Sequence, residues 1–205
     1  MKFFSPDSKF TQMMTAFGEM MLLNACYLIA SLPLITIGAA NTAMYTVMGR
    51  RLRKEGSGTI VPFFKAWWSN LKTGTAFWSV QLVVSFSLAL ILFLPLPGFL
   101  KLVAVILLIL VTLIFSILYP QTARFRNRWF DSLKNALILL ISKFGWVVLN
   151  LALFLSPAAL FLIAPVDFLR FGFIWILFGF SMLFYFSAEI MQKILQPLED
   201  ISHRK

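Results

Sequence analysis

The chain has 205 residues, 60% of them apolar and 13% charged, with a net charge of +10. A soluble globular domain carries roughly 45–50% apolar and 25% charged residues, so a fold of this length could not hide so much hydrocarbon from water, and a water-soluble domain is excluded. The basic residues cluster in short segments between long uncharged ones, a pattern of membrane loops rather than of a nucleic-acid surface, and no nucleic-acid partner is expected.

Residues 20–49, 73–100, 102–123, 144–166 and 171–188 contain no Asp, Glu, Lys or Arg. A charge near the bilayer centre costs roughly 2.5–3.5 kcal/mol, and a spanning helix needs about 20 mostly apolar residues, so each run is a candidate span. The expectation is an all-α integral membrane protein, a single bundle over residues 1–205, with spans near 20–39, 75–94, 100–119, 146–163 and 171–190.

The first span carries Asn24 and Cys26 and then Pro33, Thr36, Gly38 and Asn41. Pro33 lacks the N–H of an i to i−4 bond, so the helix is expected to break or end there, and residues 36–49 read equally as spanning, re-entrant or interfacial. Cys26 is the single cysteine, which rules out an intramolecular disulfide. The long polar leader with Asp7 and Glu19 argues against a cleaved signal peptide.

Two loops resemble each other at a constant offset. Phe63, Trp67, Trp68, Leu71 and Lys72 match Phe125, Trp129, Phe130, Leu133 and Lys134; Pro95 matches Pro157; Tyr45 precedes Arg50 as Tyr119 precedes Arg124. This is a candidate parallel internal repeat covering spans one to four. Within residues 62–72, Phe63, Phe64, Trp67, Trp68 and Leu71 fall on one helical face and Lys65 and Lys72 on the other. Two short amphipathic interfacial helices, near 62–72 and 124–134, are therefore expected. Their anchors are Phe63, Trp67, Trp68, Phe125, Trp129 and Phe130, either as an aromatic belt or as a docking surface.

With those spans, fourteen of the eighteen Lys and Arg fall on one side, and Lys2, Lys9, Lys101 and Arg170 on the other. The positive-inside rule then puts the basic turns in the cytoplasm of a plasma membrane, facing anionic lipid, with the N-terminus outside and the C-terminus inside.

The chemical inventory is poor. His203 is the only histidine, and Glu19, Asp131, Asp167 and Glu189 sit at span edges, so no metal centre, cofactor site or catalytic triad is expected. What remains in the span cores is Asn24, Gln81, Ser85, Ser87 and Asn150. Amides in hydrocarbon must pair, either with a neighbouring helix or around a shared polar pocket for a hydroxyl-rich solute. A site built from Asn24, Gln81, Asn150, Pro33, Thr36 and Gly38 is the sharper expectation.

Asn24, the run Leu32-Pro33-Leu34-Ile35-Thr36-Ile37-Gly38-Ala39-Ala40 and Ala43-Met44-Tyr45 resemble the hallmark of the YesL-like bacterial membrane proteins. The opening Phe3-Phe4-Ser5-Pro6-Asp7-Ser8 and the later Phe63-Phe64-x-Ala66-Trp67-x-x-Asn70-Leu71-Lys72 are similar to that family as well. The resemblance is specific to about residue 80. It implies no activity and no catalytic residue; since members tend to occur beside sugar-uptake genes, it implies an accessory role in carbohydrate transport. Two readings follow: a non-catalytic membrane component working with a permease or as a homo-oligomer, and a small-solute, sugar-type transporter or binding protein acting as an oligomer.

Overall fold

A computed structural model describes residues 9–55, 58–125 and 128–202, and their side chains over 10–55, 58–125 and 128–195. Expectations on Arg126, on the stretch to Ser8 and on His203, Arg204 and Lys205 lie outside these residues. In chain order the elements are α1 (Lys9–Ser31), a 3-10 turn (Leu34–Thr36), α2 (Ile37–Leu52), α3 (Ile60–Ser69), α4 (Leu71–Phe93) and α5 (Gly98–Arg124). There follow α6 (Trp129–Ser142), α7 (Phe144–Ile163), α8 (Pro165–Arg170), α9 (Gly172–Ile174), a π-helical turn (Trp175–Gly179) and α10 (Phe180–Ser202). No strand occurs among the described residues.

Five helices are long and apolar enough to cross a membrane: Phe10–Ser31, Leu71–Phe93, Gly98–Arg124, Phe144–Ile163 and Gly172–Leu195. Their outward faces are carbon; Val83, Phe86, Ile106, Leu162, Ile163 and Phe173 are all exposed. Only lipid stabilises such a surface, and the chain is a multi-pass integral membrane protein.

The first span differs from the sequence reading. The helix starts near Lys9 and stops at Ser31, so residues 32–39 are not its continuation. Pro33 opens the 3-10 turn, and Thr36 Oγ1 sits 2.7 Å from the Ala30 carbonyl oxygen in the last turn of α1 and 2.8 Å from that of Pro33, which also accepts the Thr36 N–H at 2.7 Å. α2 then folds back. Arg51 donates to Glu19, and Tyr27 donates to Asn41 Oδ1 at 2.9 Å, so residues advancing along α1 meet residues receding along α2, the register of an antiparallel pair.

α2 is the axis of the bundle and packs against α1, α3, α4, α5 and α10. Ala39, Ala40, Ala43, Met44 and Met48 are fully buried. Small side chains let neighbouring backbones approach, which in a membrane substitutes for a hydrophobic driving force. The helix ends in a Schellman motif: the Glu55 N–H donates to the Arg50 carbonyl at 2.9 Å and the Lys54 N–H to that of Arg51 at 3.0 Å, with Lys54 left-handed at φ 56°. In the same turn Arg53 donates to both Glu55 oxygens, at 2.7 and 2.9 Å, and holds that carboxyl below its usual range.

α3 and α6 occupy the two aromatic stretches, with bounds that differ from those expected, and they are not simple surface anchors. Phe63 is fully buried in the core, Trp67 is partly buried, and Trp68 is exposed. Phe125 precedes α6 and is half-buried; Trp129 stacks on Phe77 at 4.3 Å, and Phe130 points outward. α6 runs on to Ser142 and buries Ala136, Leu139 and Leu140, well past the expected end at 134. The offset that aligns the aromatics does not align the helix breaks, which fall at Asn70 in one half and Lys143 in the other.

Candidate functional site

Prolines and amides shape the interior of the bundle. Pro157 leaves the Leu153 carbonyl of α7 without its usual donor, and Ser156 Oγ donates to it at 2.7 Å. Pro157 thus stands in a spanning helix without an orphaned carbonyl. It lines an open-sided cavity of about 440 Å³ between α1, α2, α4, α5, α7 and α10, within the range of small-molecule sites.

Three tyrosines from three helices face this cavity, each nearly buried and each hydrogen-bonded to a polar side chain on another helix. Tyr27 of α1 donates to Asn41 of α2, and Tyr119 of α5 donates to Gln81 of α4 at 2.7 Å. Tyr45 of α2 lies 2.7 Å from Ser187 Oγ of α10, which donates to Asn150 Oδ1 of α7 at 2.6 Å. The single Ser187 hydrogen is committed to Asn150, so Tyr45 is the donor to Ser187. A phenol gives an apolar ring and a polar tip, and buried tips require partners. Here all three have them.

Trp78, Thr112 and Ser116 add polar atoms to a wall otherwise made of Leu151, Phe154, Phe180, Leu183 and Phe184. Trp78 Nε1 is buried with no acceptor, and behind the wall Asn150 Nδ2 is likewise unpartnered. A buried donor without an acceptor loses the free energy of its hydration and favours a molecule that brings an acceptor.

The residues expected to share one pocket divide three ways. Gln81 lines the cavity, and Asn150 joins it through Ser187 and Tyr45. Asn24 does not reach it: Nδ2 donates to the Ile176 carbonyl at 2.6 Å and lies 3.4 Å from that of Trp175, while the Ser181 N–H donates to Oδ1 at 2.9 Å. Asn24 therefore serves the backbone of the π-helical turn. Pro33 and Thr36 form the α1–α2 turn, and Gly38 lies against Gly74 of α4. Sequence reasoning missed Tyr27, Asn41 and Trp78. The available signal is that a tyrosine inside an uncharged segment needs a partner, and all four tyrosines lie in such segments.

A second hollow of about 410 Å³, between α1 and α10, is walled by Met13, Phe17, Met20, Phe178 and Met182 and offers carbon alone to its surroundings. A smaller one of about 160 Å³ lies at the basic turn, where Glu19, Arg50, Arg51 and Thr59 meet.

Residues 20–93 match a family described as "Protein of unknown function, DUF624", so the N-terminal region is YesL-like at family level. The matched stretch contributes Tyr27, Asn41, Tyr45, Trp78 and Gln81 to the cavity, while Tyr119 and the α7 and α10 walls lie beyond it. No curated protein and no solved structure matches the chain.

Proposed function

We propose that this chain is a non-catalytic membrane component that binds a small hydroxylated solute in the tyrosine-lined cavity and serves bacterial carbohydrate uptake as an accessory to a permease. One observation carries the reading: Tyr27, Tyr45 and Tyr119 converge on a single cavity from three helices, with Gln81, Asn41 and the unpartnered Trp78 N–H beside them. Aromatic faces stack on the apolar side of a sugar ring, and amide, hydroxyl and indole groups meet its oxygens. Among the described residues no charged side chain lines the cavity to drive hydrolysis or group transfer, which supports binding over catalysis.

The test is titration of the protein in lipid nanodiscs with a panel of neutral mono- and disaccharides, read by tryptophan fluorescence. Saturable binding that is lost in Trp78→Phe and Tyr119→Ala is expected. A flat response across the panel, with intact folding, would remove the solute reading. Uptake into proteoliposomes by the protein alone would replace the accessory role with transport in its own right.

The same reading includes an orientation. α1 begins on the side where α2 ends, as the Glu19–Arg51 pair requires, so Lys9 joins the basic turns and Lys101 and Arg170 face the opposite side. By the positive-inside rule both ends of the chain are then cytoplasmic, with the basic turn at Arg50, Arg51 and Lys54 against anionic lipid. A straight first span would instead put the N-terminus outside. An N-terminal alkaline phosphatase fusion should be inactive; an active one would reverse it.

A further inference from the structure

Below the tyrosine-lined cavity, toward the basic turns, lies a second pocket of about 50 Å³ between the ends of α2, α5 and α10. Among the described residues, Tyr45 alone lines both. We infer that the cavity is reached from the end of the bundle that carries the basic turns, and that the Tyr45 ring is the septum across that route. This rests on the cavity being a solute site and adds the side from which it is entered.

Three observations support it. The lower pocket is polar where the cavity is mostly carbon: Thr46, Arg53, Arg124 and Gln192 line it, and Gln192 Nε2 is buried with no partner. A space of about 50 Å³ has room for water beside these polar groups, which the lipid-facing walls do not offer. Second, the septum is buried, and a single hydrogen bond anchors its polar tip. The Tyr45 hydroxyl has one bond, to Ser187, and the ring meets Phe184 edge-on at 5.0 Å. When the ring swings away, Ser187 keeps its bond to Asn150 but its oxygen loses the Tyr45 donor, which a water or solute hydroxyl in the opened route replaces. Third, Gly49 stands one helical turn beyond Tyr45 and adds no side chain to the passage, whereas any larger residue there would press on the Arg53 guanidinium, 3.1 Å from an added Cβ.

The route can be tested without a ligand. In a Cys26→Ala background, Ser116→Cys sets a thiol in the cavity wall, and a separate Lys54→Cys variant reports which membrane face each vesicle preparation exposes. A small water-soluble methanethiosulfonate reagent added from the Lys54 face should label Cys at 116 slowly in the presence of Tyr45. Labelling should be at least tenfold faster with Tyr45→Ala, and unchanged from the opposite face. Tyr45→Phe, which loses only the hydroxyl, should give an intermediate rate and serves if the alanine variant fails to fold. Rates indifferent to Tyr45, or accelerated only from the opposite face, would overturn the septum. Sugar binding with Tyr45-independent labelling would sink this route alone; Tyr45-dependent labelling with no sugar response would sink the solute reading alone.

Discussion

Gly38 and Gly74 bring α2 and α4 together backbone to backbone. A methyl group on Gly38 would overlap the Gly74 carbonyl and come within 2.7 Å of Trp78 Cβ; one on Gly74 would come within 2.7 Å of both the nitrogen and the Cα of Ala39. Because the obstructing atoms are mostly backbone, the helices themselves would have to part. Trp78, which lines the cavity, would move with them.

Gly38→Ala and Gly74→Ala should therefore each destabilise the bundle, by about 1–3 kcal/mol as overpacking does. The measurement is the midpoint of denaturant unfolding in detergent micelles. Unchanged midpoints for both would show that the two helices are not held in contact.

Asn24 gives a second expectation. Its amide covers backbone groups of Trp175, Ile176 and Ser181 around the π-helical turn, where the i to i−4 ladder is interrupted. Asn24→Leu has similar bulk and no hydrogen bonds, and should cost about 1–3 kcal/mol for the backbone groups left bare. Hydrogen exchange should accelerate at residues 175–181 and stay the same in α5. Uniform acceleration would instead mean that Asn24 acts on the whole fold.

Lys54 adopts φ 56° at the position of the Schellman motif where glycine is usual. The left-handed conformation costs an L-residue roughly 1–2 kcal/mol, so Lys54→Gly should raise stability by about 1 kcal/mol despite the loss of a charge. A lower unfolding midpoint would show that the lysine side chain contributes more than its backbone costs.

Uncharged runs, the break at Pro33 and the basic turns could all be read from the sequence, because each follows from the cost of a charge or a missing N–H in hydrocarbon. The reversal of α2 could not. Its Gly38, Ala39, Ala40, Thr42 and Ala43 are neither apolar enough to read as a lipid-facing span nor polar enough to read as a loop, since the helix is solvated by other helices. Without that reversal the first uncharged run reads as one straight crossing. Gln81 and Asn150 were recognisable as amides in hydrocarbon, yet their partners lie 38 and 37 residues away, and nothing local points to them. Asn24 looks the same in sequence as these two, and only the π-helical turn distinguishes its role.

The Tyr119–Gln81 pair separates a structural role from a binding one. The bond joins α5 to α4 at 2.7 Å across the cavity wall, and interhelical bonds in membranes contribute about 0.6 kcal/mol on average, with a maximum near 1.7. A double-mutant cycle with Tyr119→Phe and Gln81→Leu should return a coupling of that size in unfolding experiments. If the pair only staples helices, the double variant, which leaves neither partner stranded, should regain whatever solute affinity the single variants lose. If the two groups also contact the solute, affinity should stay low in the double variant although stability recovers, because the hydroxyl and amide that would meet the ligand are both gone.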